Sequence, residues 1–210
     1  MSINSQEVQK LRATTGAGMM DAKRALEEAG GDFDKAIEVL RKKSSKMAAN
    51  KIDRVTSQGL VETYVHGGGI LGALIEVACE TDFVARTDKF KDLAHDLAMQ
   101  VAASNPQYIN VADVPAEVVE REKRIYAEQL QEQGKSGSMT GKIIDGKLDK
   151  FYQEVCLLKQ PFFKDDKRTV GEVINEAIAT TGENIKVKRF ARFALSGGPT
   201  ACHVDDSTKR

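Results

Sequence analysis

The sequence is poor in the residues that build cross-linked or metal-bound proteins. It has only three cysteines among 210 residues, no tryptophan and three histidines. Cys79, Cys156 and Cys202 are odd in number and far apart, and no C-x-x-C pair occurs, so neither a disulfide framework nor a zinc site is expected. The histidines share no metal-ligand spacing. These scarcities predict no metal site and a protein of a reducing compartment, the cytoplasm.

The sequence also lacks long apolar runs and an excess of one charge. No apolar stretch approaches the length that spans a bilayer, and the N-terminus has no hydrophobic signal region, so no membrane association is expected. Lys+Arg and Asp+Glu both number 31, which gives a formal net charge of zero. Binding to nucleic-acid phosphates calls for positive charge, and direct nucleic-acid binding is therefore not expected.

Sequence motifs of common enzymes are missing too. There is no P-loop, no G-x-G-x-x-G after a strand, and no G-x-S-x-G or H-E-x-x-H. The glycine run His66–Ile70 could cradle a phosphate, but no helix start follows it, so a hairpin turn is favoured. No catalytic residue and no cofactor are predicted. A binding or regulatory protein is the class that remains.

Hydrophobic periodicity predicts an α+β fold of two parts. The first fifty residues show three short helical stripes separated by glycine turns. Two β-prone runs flank Gly67–Gly69, and a third, residues 185–195, returns near the end of the chain. About three strands would form a small antiparallel sheet covered by helices. The predicted divisions are a three-helix module 1–52, a linker 53–57, a core 58–197 that includes a projecting helical hairpin 116–155, and a polar tail 198–210.

Two segments stand out as candidate contact surfaces. Asp82 and Phe83 follow the second β-prone run, where turns usually place small polar residues. Phe83 is either a core residue that joins strand to helix or a wedge that projects towards another molecule. Met19 and Met20 are adjacent at a helix start, so both cannot face one core, and a flexible thioether suits a partner surface. Partial burial of both within the small module is the alternative.

At these residues the sequence resembles a known family. The stretches "LRATTGAGMMDAKRALEEAGGDFDKAIEVLR" (11–41) and "ETDFVAR" (80–86) are similar to the two signatures of translation elongation factor Ts. "MQVAASNPQYI" (99–109), "QPFFKDDKRTVGEVI" (160–174) and "FARFAL" (190–195) resemble its core. The resemblance runs from about residue 3 to residue 197 in the expected order.

The resemblance implies a function and a set of contact residues. Elongation factor Ts exchanges guanine nucleotides on elongation factor Tu, and its N-terminal module is similar to ubiquitin-associated (UBA) domains. Three sets would touch the GTPase. The exchange loop inserts beside the nucleotide and magnesium site, and the N-terminal residues contact a helix. The sets are the exchange loop Thr81, Asp82, Phe83 and Val84, the N-terminal residues Arg12, Met19 and Met20, and the hairpin turn His66, Gly67 and Gly68.

One departure from longer family members suggests an oligomer. Those members carry two hairpin subdomains, whereas this chain has one. A homodimer would let one copy use Asp82 and Phe83 and the other use the His66 turn, and Cys202 could cross-link such a dimer. Two other functions are open from the residues alone. A UBA-like adaptor that binds ubiquitin or peptides leaves the 80–86 motif unexplained, and a chaperone acting through the hairpin 116–155 would bind many unfolded clients.

Overall fold

The N-terminal module consists of three helices around a small apolar core. The computed structural model of the protein describes residues 3–134, 140–195 and the backbone of 202–204. Helices α1 (Ser5–Thr15), α2 (Met19–Glu28) and α3 (Phe33–Ala49) begin with caps or glycine turns. Asn4 and Glu7 form a capping box, and Asp32 accepts from two amides of α3. The buried residues of this core are Val8, Leu11, Ala22, Ala25, Leu26, Ala36 and Leu40.

A hairpin and a returning strand form the sheet, as the sequence predicts. Strands β1 (Gln58–His66) and β2 (Leu71–Cys79) flank a turn of three glycines, and β5 (Lys186–Ala194) pairs beside β2. Helix α5 (Asp88–Ser104) buries one apolar face along its length. Its buried apolar residues are Phe90, Leu93, Ala94, Leu97, Ala98, Val101 and Ala102. The α+β prediction is therefore confirmed.

The sheet gains a fourth strand that the sequence did not predict. Residues 202–204 form β6 (Cys202–Val204), which pairs antiparallel with β5, so the strand order is β1-β2-β5-β6. The predicted polar tail thus contributes backbone to the sheet edge. Its other residues, and the side chain of Cys202, lie outside the described residues.

A second sheet forms where the sequence shows no strand pattern. Strands β3 (Pro161–Phe162) and β4 (Asp165–Thr169) pair antiparallel with an irregular register. The buried side chain of Gln100 holds this small hairpin. Its Nε2 donates to the Pro161 carbonyl at 3.1 Å and its Oε1 accepts from the Phe163 amide at 2.9 Å. A two-residue strand without apolar alternation gives no local sequence signal, so only the long-range bonds reveal it.

The remaining helices follow the predicted order. Helices α6 (Ala116–Glu132) and α7 (Thr140–Val155) pack against each other as a helical hairpin. Only Leu130, Leu148 and Val155 are fully buried in them. Helix α8 (Val170–Thr181) has one apolar face, on which Val170, Ile174 and Ile178 are buried. Among the described residues no helix is long and apolar enough to cross a bilayer.

Backbone contacts divide the chain into two compact units. The first comprises Met1–Glu62, Glu76–Asp96 and Gly171–Lys188, and the second comprises Thr63–Ile75, Leu97–Val170 and Arg189–Arg210. The first unit therefore contains the N-terminal module together with the segment that follows β2. The predicted division into a module 1–52, a linker 53–57 and a core 58–197 follows helix and strand order, and it stays a prediction.

Gly59 allows the start of β1 to approach β2 more closely than any other residue would. Its φ of 148° is unfavourable for a side chain, and an added Cβ would lie 2.1 Å from the Val77 carbonyl oxygen. We expect Gly59→Ala to lower the free energy of unfolding by about 2–3 kcal/mol, because the two strands must separate.

Denaturant unfolding of the variant measures that loss. Gly146→Ala is the matched control, since Gly146 lies inside α7 with no atom within 4 Å of an added Cβ. It should raise stability by about 0.5–1 kcal/mol through helix propensity. Equal stability of Gly59→Ala and the parent would contradict the close approach.

Candidate functional site

The segment Thr81–Val84 turns sharply out of β2 and forms a one-turn helix. Helix α4 (Asp82–Ala85) begins directly after Thr81, whose side-chain oxygen accepts from the Val84 amide. At its other end, the Thr87 hydroxyl donates to the Val84 carbonyl at 2.8 Å, and α5 follows at once. The segment expected as a loop is therefore helical, with polar caps on both sides.

Phe83 projects from this helix into solvent. Its side chain is 81% exposed, whereas Ala85, two residues later, is buried at 9%. A phenylalanine that joined strand to helix as a core residue would be buried, so that alternative is wrong. The carboxylate of Asp82 forms an ion pair at 2.8 Å with Arg86, the residue directly after this helix. The helix thus shows an unpaired aromatic ring beside an ion pair.

A glutamate from the far end of the chain holds the segment in place. The Glu183 Oε2 atom accepts from the Glu80 amide at 3.1 Å and the Thr81 amide at 3.0 Å. Its Oε1 atom accepts from the Thr81 hydroxyl at 2.5 Å. The same hydroxyl caps α4, so the Thr81 side chain links Glu183 to the start of this helix. Charged acceptors make the stronger protein hydrogen bonds.

A reciprocal set of bonds extends this arrangement to residues 52–54. Glu80 Oε1 accepts from the Asn184 amide at 2.6 Å and lies 3.5 Å from Arg54 Nη1. The buried Asn184 side chain donates to the carbonyls of Ile52 at 3.4 Å and Arg54 at 2.9 Å. We refer to Glu80, Thr81, Glu183 and Asn184 as the Glu183 network.

The predicted N-terminal contact residues lie on the surface of their module. Met19 is 45% exposed and Met20 is 59% exposed, at the start of α2. Arg12 is also exposed, near the end of α1, and its carbonyl accepts from Gly16, whose φ of 69° makes the tight turn between the two helices. The three residues therefore lie on either side of one turn. Neither methionine is fully buried, and their contact with a partner stays a prediction.

The predicted hairpin-turn residues belong to the second unit. His66, Gly67 and Gly68 are exposed at the tip between β1 and β2. The Tyr64 hydroxyl lies 2.8 Å from His66 Nδ1, which orients the imidazole ring. Gly67 and Gly68 both have positive φ, and Gly69 continues the pattern at 98°. Only glycine adopts three such conformations in succession without strain.

Neither a reactive thiol nor a cluster of metal-ligating side chains is found beside the described segment. Burial, followed by the nearby Glu183 carboxylate, raises the pKa of the Cys79 thiol to about 11, so this thiol is a poor nucleophile at neutral pH. Within residues 3–134 and 140–195, no three His, Cys, Asp or Glu side chains cluster as metal ligands would. The site offers an exposed ring, two exposed thioethers and a network that fixes the backbone.

Sequence reasoning missed the Glu183 network. The stretch "TGEN" (181–184) follows the pattern of an ordinary helix end. Its glutamate and asparagine carry no periodicity or motif, and their partners are about a hundred residues away, as in the 102-residue separation of Thr81 and Glu183.

Comparison with known proteins places the chain among translation factors. A family model described as "Elongation factor TS" matches residues 5–197. The chain is 56% identical over 196 residues to a protein named elongation factor Ts from Moorella thermoacetica, covering 93% of this chain and 97% of that protein. It is 53% identical to one from Carboxydothermus hydrogenoformans (93% and 90% covered) and 51% identical to one from Thermotoga petrophila (94% and 98% covered).

The buried thiols give a test of the local packing. Burial also raises the pKa of Cys156 to about 11. A pKa raised this far leaves roughly one thiol in a thousand as reactive thiolate at pH 8. We expect iodoacetamide to modify Cys79 and Cys156 in the folded protein about a hundredfold more slowly than in the urea-unfolded protein. Peptide mapping by mass spectrometry measures each site, and rapid labelling of folded Cys79 would contradict the packing beside α4.

Proposed function

This chain belongs to the elongation factor Ts family, and on that basis we propose that it is a guanine-nucleotide exchange factor for elongation factor Tu. The proposal assigns no bond-making step to the chain. It binds the GTPase and promotes release of GDP during translation elongation. The observation that carries the proposal is the exposed ring of Phe83 on a firmly anchored helix, inside the motif that resembles the family signature.

In the proposed mechanism, α4 enters the GTPase beside its nucleotide site. GDP is held there by charge-assisted contacts from a phosphate loop and by magnesium. Phe83 inserts between side chains of the GTPase and disturbs the magnesium site and the phosphate-binding peptide. Thr81 and Val84 are the residues that shape the turn around it. Asp82 lies beside the ring and adds a carboxylate near the magnesium ligands.

The energetic requirement is a difference in affinity between two states of the GTPase. An exchange protein that prefers the nucleotide-free GTPase lowers the affinity of the GTPase for GDP. By reciprocity, bound GDP lowers the affinity of the GTPase for the exchange protein by the same ratio. Each tenfold change needs about 1.4 kcal/mol. Burial of one phenylalanine provides roughly 1.5–3 kcal/mol. Phe83 therefore accounts for a part of the effect, and a wider interface must provide the rest.

The N-terminal module supplies part of that wider interface. Met19 and Met20 are exposed at the start of α2, and Arg12 is exposed at the adjacent end of α1. In the proposal these three side chains contact a helix of the GTPase domain. Thioethers adapt to irregular apolar surfaces, and the guanidinium supplies a directed charge. This contact anchors the factor whether or not Phe83 is inserted.

A homodimer is the second element of the proposal. The outward side of the sheet in the second unit exposes Val65 (66%), Leu74 (44%) and Phe193 (63%). Arg192, the neighbour of Phe193, points the other way and donates to the Ala102 carbonyl of α5. An apolar patch can pack against the same patch of a second copy, as a two-fold interface requires. A second copy would also supply the His66 turn to another domain of the same GTPase.

Neither alternative function gains support from the molecule. A chaperone acting through α6 and α7 would need an exposed apolar surface, yet in residues 116–132 and 140–155 Ile125, at 38%, is the exposed large hydrophobic residue. An adaptor that bound ubiquitin or peptides through the N-terminal module alone would leave Phe83 without a role. Two buried free thiols, Cys79 and Cys156, are consistent with the proposed cytoplasmic location.

Release of a fluorescent GDP analogue from elongation factor Tu tests the proposal. The parent should accelerate release catalytically. Phe83→Ala should reduce the acceleration about tenfold or more, because the ring provides roughly 1.5–3 kcal/mol of the differential binding. Phe163→Ala is the matched control, since this phenylalanine is also exposed, at 42%. No acceleration by the parent would contradict the exchange function, and full activity of Phe83→Ala would contradict the role of the ring.

Light scattering at micromolar concentration tests the dimer. The parent should have twice the mass of one chain, and Phe193→Lys should be monomeric, because a charge in an apolar interface is costly to bury. Phe163→Lys is the control and should remain dimeric. A fully active monomeric parent would refute the dimer.

A further inference from the structure

We propose that Glu183 is a positioning residue for exchange, which holds α4 in the orientation that presents Phe83. The inference deepens the proposed exchange function and rests on it. Glu183 lies in the turn between α8 and β5, far from the 81–84 segment in the sequence. Its carboxylate nevertheless contacts the two residues that immediately precede Asp82. The juxtaposition of this carboxylate and the start of α4 carries the argument.

Helix α4 cannot hold itself in place. It has four residues, and the first turn of a helix is the unfavourable step in helix formation. Its own side chains contribute an exposed ring, a surface ion pair, the half-buried Val84 and one buried methyl group, that of Ala85. Exposed ion pairs contribute little. The direction of Phe83 must therefore be set by contacts outside the helix.

The Glu183 carboxylate supplies those contacts at the N-terminal end of the helix. Three donors converge on it: the amides of Glu80 and Thr81 and the Thr81 hydroxyl. Because the hydroxyl proton points to Glu183, its lone pairs face the Val84 amide, which is the capping bond of α4. Glu183 thus fixes both the backbone entering the helix and the orientation of its cap.

An ionised carboxylate is the side chain that meets this demand best. Each of its oxygens accepts, and no hydrogen is present to conflict with the three donors. A glutamine keeps one oxygen for the two amides, but its NH2 group donates to the Thr81 oxygen and leaves the hydroxyl proton without its acceptor. An alanine removes all three acceptors. Glutamate, glutamine and alanine at position 183 therefore hold the start of α4 with decreasing strength, while the Phe83 ring itself is unchanged.

Asn184 carries the same arrangement towards the N-terminal module. Its amide donates to Glu80, and its side chain donates to the carbonyls of Ile52 and Arg54. Residues 183–184 therefore fix two segments at once, the start of α4 and the chain that leaves α3. The preorganised surface lowers the entropy lost when the partner binds.

Amide hydrogen exchange in the free protein tests the anchoring without any partner. In Glu183→Ala, the amides of residues 80–86 should exchange about tenfold faster than in the parent, as expected for loss of charged acceptors. Glu183→Gln should lie between the two, and amides of α5 should be unchanged. Glu128→Ala, an exposed glutamate on α6, is the control. Equal protection of residues 80–86 in the parent and Glu183→Ala would overturn the proposal.

The kinetics of GDP release test whether anchoring matters for exchange. Glu183→Ala should lower the maximal release rate about tenfold while the half-saturating concentration changes less than about threefold, because most of the interface remains. In the Phe83→Ala background it should have no further effect, since Glu183 acts through the ring. The proposal would be overturned if Glu183→Ala had the same maximal release rate as the parent. It would also be overturned if Glu183→Ala lowered the rate of Phe83→Ala as much as it lowers the rate of the parent.

The two experiments separate this inference from the exchange function itself. If the parent accelerates release, Phe83→Ala impairs it and Glu183→Ala does not, the function stands and the positioning role is wrong. If the parent does not accelerate release, both the function and the positioning role are wrong, and any loss of amide protection in Glu183→Ala reports a purely structural contact. If acceleration depends on Phe83 and on Glu183, and the effects of the two substitutions are not additive, the exchange function and the positioning role are both supported.

Discussion

The backbone amides of Glu80 and Thr81, the first two residues beyond β2, both donate to the carboxylate of Glu183. This contact determines how the chain leaves the sheet. The Thr81 hydroxyl donates to the same carboxylate and accepts from Val84, so the cap of α4 depends on a residue that is 102 positions away. A short exposed helix acquires a defined direction only through such outside constraints. Because α4 is held in this way, the exposed Phe83 ring has a fixed position from which it could contact a partner.

An exposed aromatic ring has a physical cost that a partner removes. At 81% exposure, Phe83 leaves apolar surface in water that a core position would bury. The exposed thioethers of Met19 and Met20 follow the same logic at the N-terminal module. In the proposed function the ring of Phe83 and the thioethers of Met19 and Met20 become buried against one GTPase. A rigid fold would then leave the burial energy for distorting the nucleotide site, because little of it is needed to order the factor.

Local patterns in the sequence sufficed for most of the fold. The stripes containing Leu11, Leu26 and Leu40 specify the three-helix module, and the glycines before Ile70 specify the hairpin, because each depends on neighbours close in the chain. The position of Phe83 at the end of β2 was also visible, although its exposure was undecided between core and wedge. That choice depends on packing around Ala85, which no pattern of residue types describes.

The features that were missed all depend on contacts between distant residues. The β3–β4 hairpin is held by Gln100, and β6 pairs with β5 through backbone bonds that carry no side-chain signature. Glu183 and Asn184 looked like ordinary residues of a helix end. Calorimetric titration of elongation factor Tu with and without GDP measures directly whether Phe83 gives the factor its proposed preference for the nucleotide-free GTPase. The parent should bind the nucleotide-free form more tightly, and Phe83→Ala should reduce this preference about tenfold or more. An unchanged preference in the variant would contradict it.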